Sequence, residues 1–149
     1  MSVLQKLDGD LKMSLKASDK LKVSVLRMTK AALKNRQIEK GGELSEDDII
    51  AVLSSLSKQR RESIEQFSKG GREDLAEKER EELSILQSYL PEQLTPEELD
   101  GIIAESIKES SARGPKDMGK VMRLVMSRVK GSADGKVVNQ RVKDLLEEV

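Results

Sequence analysis

The chain has 149 residues, 36% hydrophobic and 36% charged, with one Tyr, one Phe and no Trp, so one domain or two small ones must form around an almost wholly aliphatic core. Cysteine and histidine are both absent, which excludes disulfides, cysteine–histidine zinc sites, thiol nucleophiles and the commonest general base. The formal charge is zero but segregated: residues 1–40 carry ten Lys/Arg against four Asp/Glu, residues 113–143 carry nine against two, and the stretch between them is acidic.

A local basic surface can attract a polyanion while the molecule as a whole stays neutral. The Leu/Lys/Glu-rich, turn-poor composition predicts helices rather than sheets. The N-terminal MSVLQKLDGD lacks the apolar run of a signal peptide. Nothing approaches the roughly 20 apolar residues that a membrane span needs. The expectation is a soluble cytoplasmic protein.

Val3, Leu4, Leu7, Leu11 and Leu15 predict a first amphipathic helix, weakened by Gly9. Ser18 or Asp19 can cap the second, whose seam is read as Leu21, Val25, Met28 and Ala32, widened by Leu26 and Leu33 and stopped at Gly41–Gly42. Ser45 with Asp48 opens the third as a capping box, and its buried face is read as Ile49, Ile50, Leu53, Leu56, Ile64 and Phe67. Gly70–Gly71 stop it. A fourth helix from about Glu73 is apolar at Leu75, Leu83, Leu86 and Tyr89, and Pro91 ends it.

YLPEQLTPEEL reads as the domain boundary, with Thr95, Pro96 and Glu98 in cap, first-turn and capping-box positions of a fifth helix. That helix buries Leu99, Ile102, Ile103 and Ile107 and is expected to end near Gly114–Pro115. The sixth runs from about Met118 to Val129, and the seventh from about Lys136 to Glu148. The fold class is all-α, with a helical N-terminal domain over 1–92 and a small C-terminal three-helix domain over 93–149.

GPKDMGKV, residues 114–121, comes close to a phosphate-binding P-loop, with Gly114, Gly119 and Lys120 in register. It lacks the terminal Ser/Thr, and an amphipathic helix precedes it where a P-loop needs a strand. Capping explains the same letters: Gly114 as a helix C-cap, Pro115 as a stop, Asp117 as the next N-cap. Gly119 inside a helix costs roughly 1 kcal/mol against alanine, so it is read as permitting close approach of another backbone, a packing helix before a nucleic acid.

At about 100° per residue, Lys120, Arg123, Ser127 and Lys130 fall within about 40° of Lys116, opposite Met118, Val121, Val125 and Val129. The last helix repeats the pattern, with Lys136, Gln140 and Lys143 opposite Val138, Val142, Leu145 and Val149. A solvated charged face is the ordinary explanation of such stripes. The scarcity of acids across 113–143, together with amides at the Gly131 and Gly135 turns, favours phosphate contacts. With so few aromatics, stacking on unpaired bases is not expected, which leaves recognition of backbone and shape.

DMGKVM followed by GSADGKVVNQRVKDLL closely resembles the C-terminal motif of the GatB/YqeY group, which also forms the tail domain of the B subunit of tRNA-dependent amidotransferases. The resemblance runs back through YLPEQLTPEEL to LRMTKAALKN (26–35), SKQRRESIEQF (57–67) and GREDLAEKEREEL (71–83), and so covers almost the whole chain. Met28 beside Arg27 is a mild departure. The resemblance implies a two-domain all-α fold whose tail grips a tRNA body. The catalytic parts of the larger enzyme have no counterpart here. A label of carbon–nitrogen ligase with glutamine as amide donor would therefore be inherited from that enzyme.

Arg60, Arg72, Glu79 and Glu82 match recurrent polar positions of the resembling proteins. They are read as structural, Arg72 pairing with carboxylates to order the Gly-rich turn. The functional expectation is a non-catalytic accessory protein, without cofactor or metal, that binds tRNA or another structured RNA. Lys116, Lys120, Arg123, Lys130, Lys136 and Lys143 would hold phosphates, and Gly119, Gly131 and Gly135 would allow close approach. The rival expectation is a protein-interaction module that docks an amidotransferase subunit or a tRNA synthetase.

Overall fold

The structure, a computed structural model, describes residues 2–149 and is all-α, with no strand among those residues. Seven α-helices follow in order: α1 (Val3–Lys16), α2 (Lys20–Lys40), α3 (Glu46–Lys69), α4 (Glu73–Gln87), α5 (Pro96–Ser110), α6 (Met118–Val129) and α7 (Gly135–Glu147). A 3-10 turn, Pro115–Asp117, precedes α6. The chain divides into two compact units, Met1–Leu90 and Pro91–Val149.

In the first unit, the caps that the sequence spells are the ones that form. The Asp19 carboxylate accepts from the Lys22 amide at the start of α2, and Gly41 ends that helix at φ 76°, a left-handed position that glycine adopts without a Cβ penalty. Ser45 and Asp48 close a reciprocal capping box at the start of α3. Ser2 and Gln5 form another at the start of α1, which was not among the expected caps. The core joins Leu7, Val25, Leu26, Leu33, Ile49, Leu53, Leu56, Leu86 and Tyr89.

The α2 seam differs from the expected one. Met28 is 38% exposed, and Thr29 takes the inward position. A buried hydroxyl without a partner would be costly, but Thr29 Oγ1 donates to the Val25 carbonyl at 2.7 Å and is satisfied inside its own helix. The buried stripe is therefore Val25, Leu26, Thr29 and Leu33. Leu15, expected on the α1 face, is 48% exposed, because the inward position of that turn belongs to Ser14, 4% exposed. Ile50, Ile64 and Phe67 are only half-buried. Tyr89 is anchored at both ends: its hydroxyl donates to Asp10, and Lys6 lies 5.2 Å above its ring. Burial, with Asp10 adding to it, pushes the Tyr89 phenol up.

In the second unit, Thr95 and Glu98 form the capping box of α5, with Pro96 in its first turn. The end of α5 departs from expectation. Ser111, at φ 56°, provides the left-handed cap, whereas Gly114 lies three residues beyond in extended backbone and is buried. Asp117 stands at the start of α6 but does not cap it: its carboxylate accepts instead from the Arg113 amide at 2.9 Å, tying the connection back on itself.

Leu99, Ile103, Val121, Val125, Val129, Val138, Val142 and Leu146 fill the core of this unit. On α7 the inward residue is Leu146, while Leu145 is half-buried and Val149 is 61% exposed, because the 3.6-residue period from Val138 through Val142 runs on to 146. The loop between α6 and α7 is held from outside. Leu94 donates its amide to the Ser132 carbonyl, and Gln93 Nε2 donates to the Gly131 carbonyl, both at 2.8 Å.

Lys40, and then the Ser45 backbone, hold the Asp48 carboxyl down to about 2. A carboxylate lowered in the folded state contributes stability above its unfolded pKa of about 3.9 and loses it as pH falls through the folded value. Asp48→Asn is therefore expected to destabilise the protein at pH 6. By chemical denaturation, its difference from wild type should shrink between about pH 4 and pH 2. A difference independent of pH would contradict the assignment.

Candidate nucleic-acid interface

Helices α6 and α7 pack on each other and on α5, and the 3-10 turn at the head of α6 also touches α7. Val121, Val125, Val129, Val138, Val142 and Leu146 point inward at 0–1% exposure. The helical period then turns the cations of both helices outward. Lys116, Lys120, Arg123, Lys130, Lys136 and Lys143 are all exposed. With a rise of 1.5 Å per residue, Lys120 and Arg128 stand about 12 Å apart along α6, and Lys130 follows just beyond its end.

These cations differ in what they already hold. Among the described residues, the side chains of Lys116, Lys120, Arg123 and Lys143 make no hydrogen bond or ion pair. Lys130 and Lys136 are engaged within the protein. Two further arginines of the same helices are structural. Arg141 grips Asp100 of α5 through two bonds of 2.9 and 2.8 Å, and Asp144 lies 3.7 Å from it. Arg128 pairs with Glu109 of α5 and donates to Ser106 Oγ at 3.2 Å. Arg128 and Arg141 lie off the basic stripe of the helical wheel, and helical periodicity alone does not reveal their partners. The signal was present in the sequence as Asp100 and Glu109, acids on an α5 whose other face is apolar.

The glycines are less uniform than expected. Gly119 is exposed, and a Cβ there would meet nothing within 4 Å, so the reading that it admits a packed helix is wrong. It lies inside α6, as does Lys120, and neither can belong to a loop wrapped around phosphate. Gly131 adopts φ 76° and so enables the turn between the helices. Gly135 is the first residue of α7, where Asp134 accepts from the Lys136 amide, and the Met126 methyl lies 3.9 Å from the position of an added Cβ. Gln140 donates to Asp144.

A second polar cluster occupies the first unit. Arg60 Nε lies 2.9 Å from Glu82 Oε2 and 3.5 Å from Glu79 Oε2, and all three side chains are less than a fifth exposed. The Nε–H is not aimed at either oxygen, so the contacts are between charges rather than hydrogen bonds. Arg60 Nη2 reaches Met28 Sδ at 3.1 Å. Burial and then the neighbouring Glu82 charge raise the Glu79 carboxyl. The exposed ion pair expected here describes Arg72, which forks onto Asp74 at 3.2 and 3.1 Å, but not Arg60.

Fold and surface together define a class: an all-α protein of two helical units whose second unit presents a basic face opposite an aliphatic core. The chain belongs to the Yqey-like protein family, which matches residues 4–146.

Its relatives include proteins named "Altered inheritance of mitochondria protein 41, mitochondrial". The one from Pyrenophora tritici-repentis is 29% identical over 97% of this chain and 81% of its own length. That from Saccharomyces cerevisiae is 35% identical over 69% of this chain, and that from Vanderwaltozyma polyspora 37% over 63%. The chain spans about half of these two yeast proteins, 55% and 52%. The expectation of a cytoplasmic protein is corrected by these matches, since the relatives are named as mitochondrial proteins.

The Arg60 cluster makes the two glutamates inequivalent. Glu82 is the nearer counter-ion, so Glu82→Gln is expected to cost roughly 1 kcal/mol at pH 7. A group whose folded pKa is raised stabilises only where it is protonated. Glu79→Gln should therefore match or exceed wild-type stability at pH 7 and lose that advantage as pH falls through the Glu79 titration. Equal losses for the two variants in urea denaturation would contradict this asymmetry.

Proposed function

We propose that the face of α6 and α7 binds the phosphate backbone of a structured RNA, with tRNA the first to test, and that the protein acts as an accessory rather than as the catalyst. One observation carries the reading. Lys116, Lys120, Arg123 and Lys143 are exposed and unpaired while Arg128 and Arg141, on the same two helices, are taken up by α5 carboxylates. Helix α6 has no acid of its own from Met118 to Val129 that could neutralise its cations. Cations left without partners are what a polyanion needs, because binding gains from releasing the counter-ions of the phosphates.

The resemblance of DMGKVM and GSADGKVVNQRVKDLL to the tail of tRNA-dependent amidotransferases supports the same reading. Lys130 and Lys136 flank the loop pinned by Gln93 and Leu94, and their present contacts would have to yield or be shared on binding. With one Tyr and one Phe in the whole chain, recognition falls to charge and shape rather than base stacking.

The measurement is tRNA affinity as a function of salt, for wild type and for Lys120→Gln/Arg123→Gln/Lys143→Gln. Each phosphate that is no longer neutralised should flatten the log–log slope by roughly 0.7–0.9, so the triple variant should shed about 2 to 3 units of slope. All three residues are exposed, and thermal stability should stay within about 0.5 kcal/mol of wild type. Unaltered affinity and slope in the triple variant would exclude this face. Partners recovered equally well from nuclease-treated lysate would favour protein docking instead.

A further inference from the structure

The first unit carries a hollow of about 710 Å³ between α1, α2 and the segment that leads into α3. Its floor is Leu33, 2% exposed, flanked by half-buried Leu44, and Leu4 stands at its rim, 42% exposed. The charged rim separates into two kinds. Asp8 and Lys30 close on each other at 2.6 Å, while Lys34 and Glu43 make no ion pair among the described residues. Ile38, the residue after Gln37 of the rim, is 69% exposed. It follows Lys34 by four residues on α2 and so projects from the same helix face.

A single exposed isoleucine needs no explanation. A projecting apolar knob next to an apolar hollow, with unpaired charges of opposite sign on the same face, is a self-complementary surface, which is what a two-fold interface requires. A small ligand would fill the hollow but leave Ile38 uncovered. A polyanion would meet Asp8 and Glu43 on the rim.

We propose that a second copy of this chain occupies the hollow. Helix α2 packs antiparallel on its symmetry mate, each Ile38 seats over the other copy's Leu4, Leu33 and Leu44, and each Lys34 faces the other copy's Glu43. Because a two-fold axis repeats every contact, each substitution counts twice.

The test is sedimentation velocity on the full chain between about 1 and 300 μM, a range that spans weak to moderate self-association. The expected result is a concentration-dependent species of twice the 16.6 kDa chain mass. Ile38→Asp should weaken it at least tenfold with an unchanged circular dichroism melt, since Ile38 contributes nothing to its own core. Lys34→Glu and Glu43→Lys should each weaken it, and the double exchange should recover most of the loss. A monomer throughout the range overturns the proposal. So does a dimer indifferent to Ile38→Asp, or a double exchange no tighter than the single variants.

Discussion

Burial of three valines on one helix sets the architecture of the second unit. Val121, Val125 and Val129 stand four residues apart and are 0–1% exposed. Once that stripe is fixed against α5 and α7, the remaining positions of α6 have no choice of direction. Lys120 and Arg123 must face water because the period of the helix leaves them nowhere else. The same constraint, set by Val138, Val142 and Leu146, turns Lys143 outward on α7. The basic face is thus a consequence of the core.

Exposure alone would make these lysines an ordinary solvated surface. The distribution of acids is what separates them. Helix α5 supplies Asp100 and Glu109, and these are taken by Arg141 and Arg128. Such partly exposed pairs add only about 0.5–1 kcal/mol each, but they fix which cations belong to the fold. Lys116, Lys120, Arg123 and Lys143 stay exposed, without a hydrogen bond or ion pair among the described residues. The loop that joins α6 to α7 is likewise restrained by hydrogen bonds from Gln93 and Leu94, so the spacing between the two helices does not rest on the loop's own residues alone.

Much of the fold was legible in the sequence because its punctuation is local. Ser45 with Asp48 and Thr95 with Glu98 act within one turn, and Gly41 and Gly71 take left-handed backbone where a helix must stop. What failed was the choice among neighbouring residues. Ser111 rather than Gly114 capped α5, Asp117 turned its carboxylate to the Arg113 amide four residues back, and Thr29, satisfied within its own turn, took the inward place expected of Met28. Cap preference and periodicity do not distinguish these local alternatives. For the candidate interface, the outward direction of the cations was readable from the wheel. Which of them were already paired was not, because Asp100 and Arg141 are 41 residues apart.

The proposed function puts the nucleic acid on the unpaired cations of α6 and α7 and not on the N-terminal helices, which are nearly as basic. Residue-resolved NMR of the full chain, titrated with tRNA at low and at moderate salt, tests it most directly. Amide and side-chain shifts are expected to concentrate on Lys116, Lys120, Arg123 and Lys143 and to fade together as salt rises. Shifts confined to α1 and α2, or none at any salt, would contradict it.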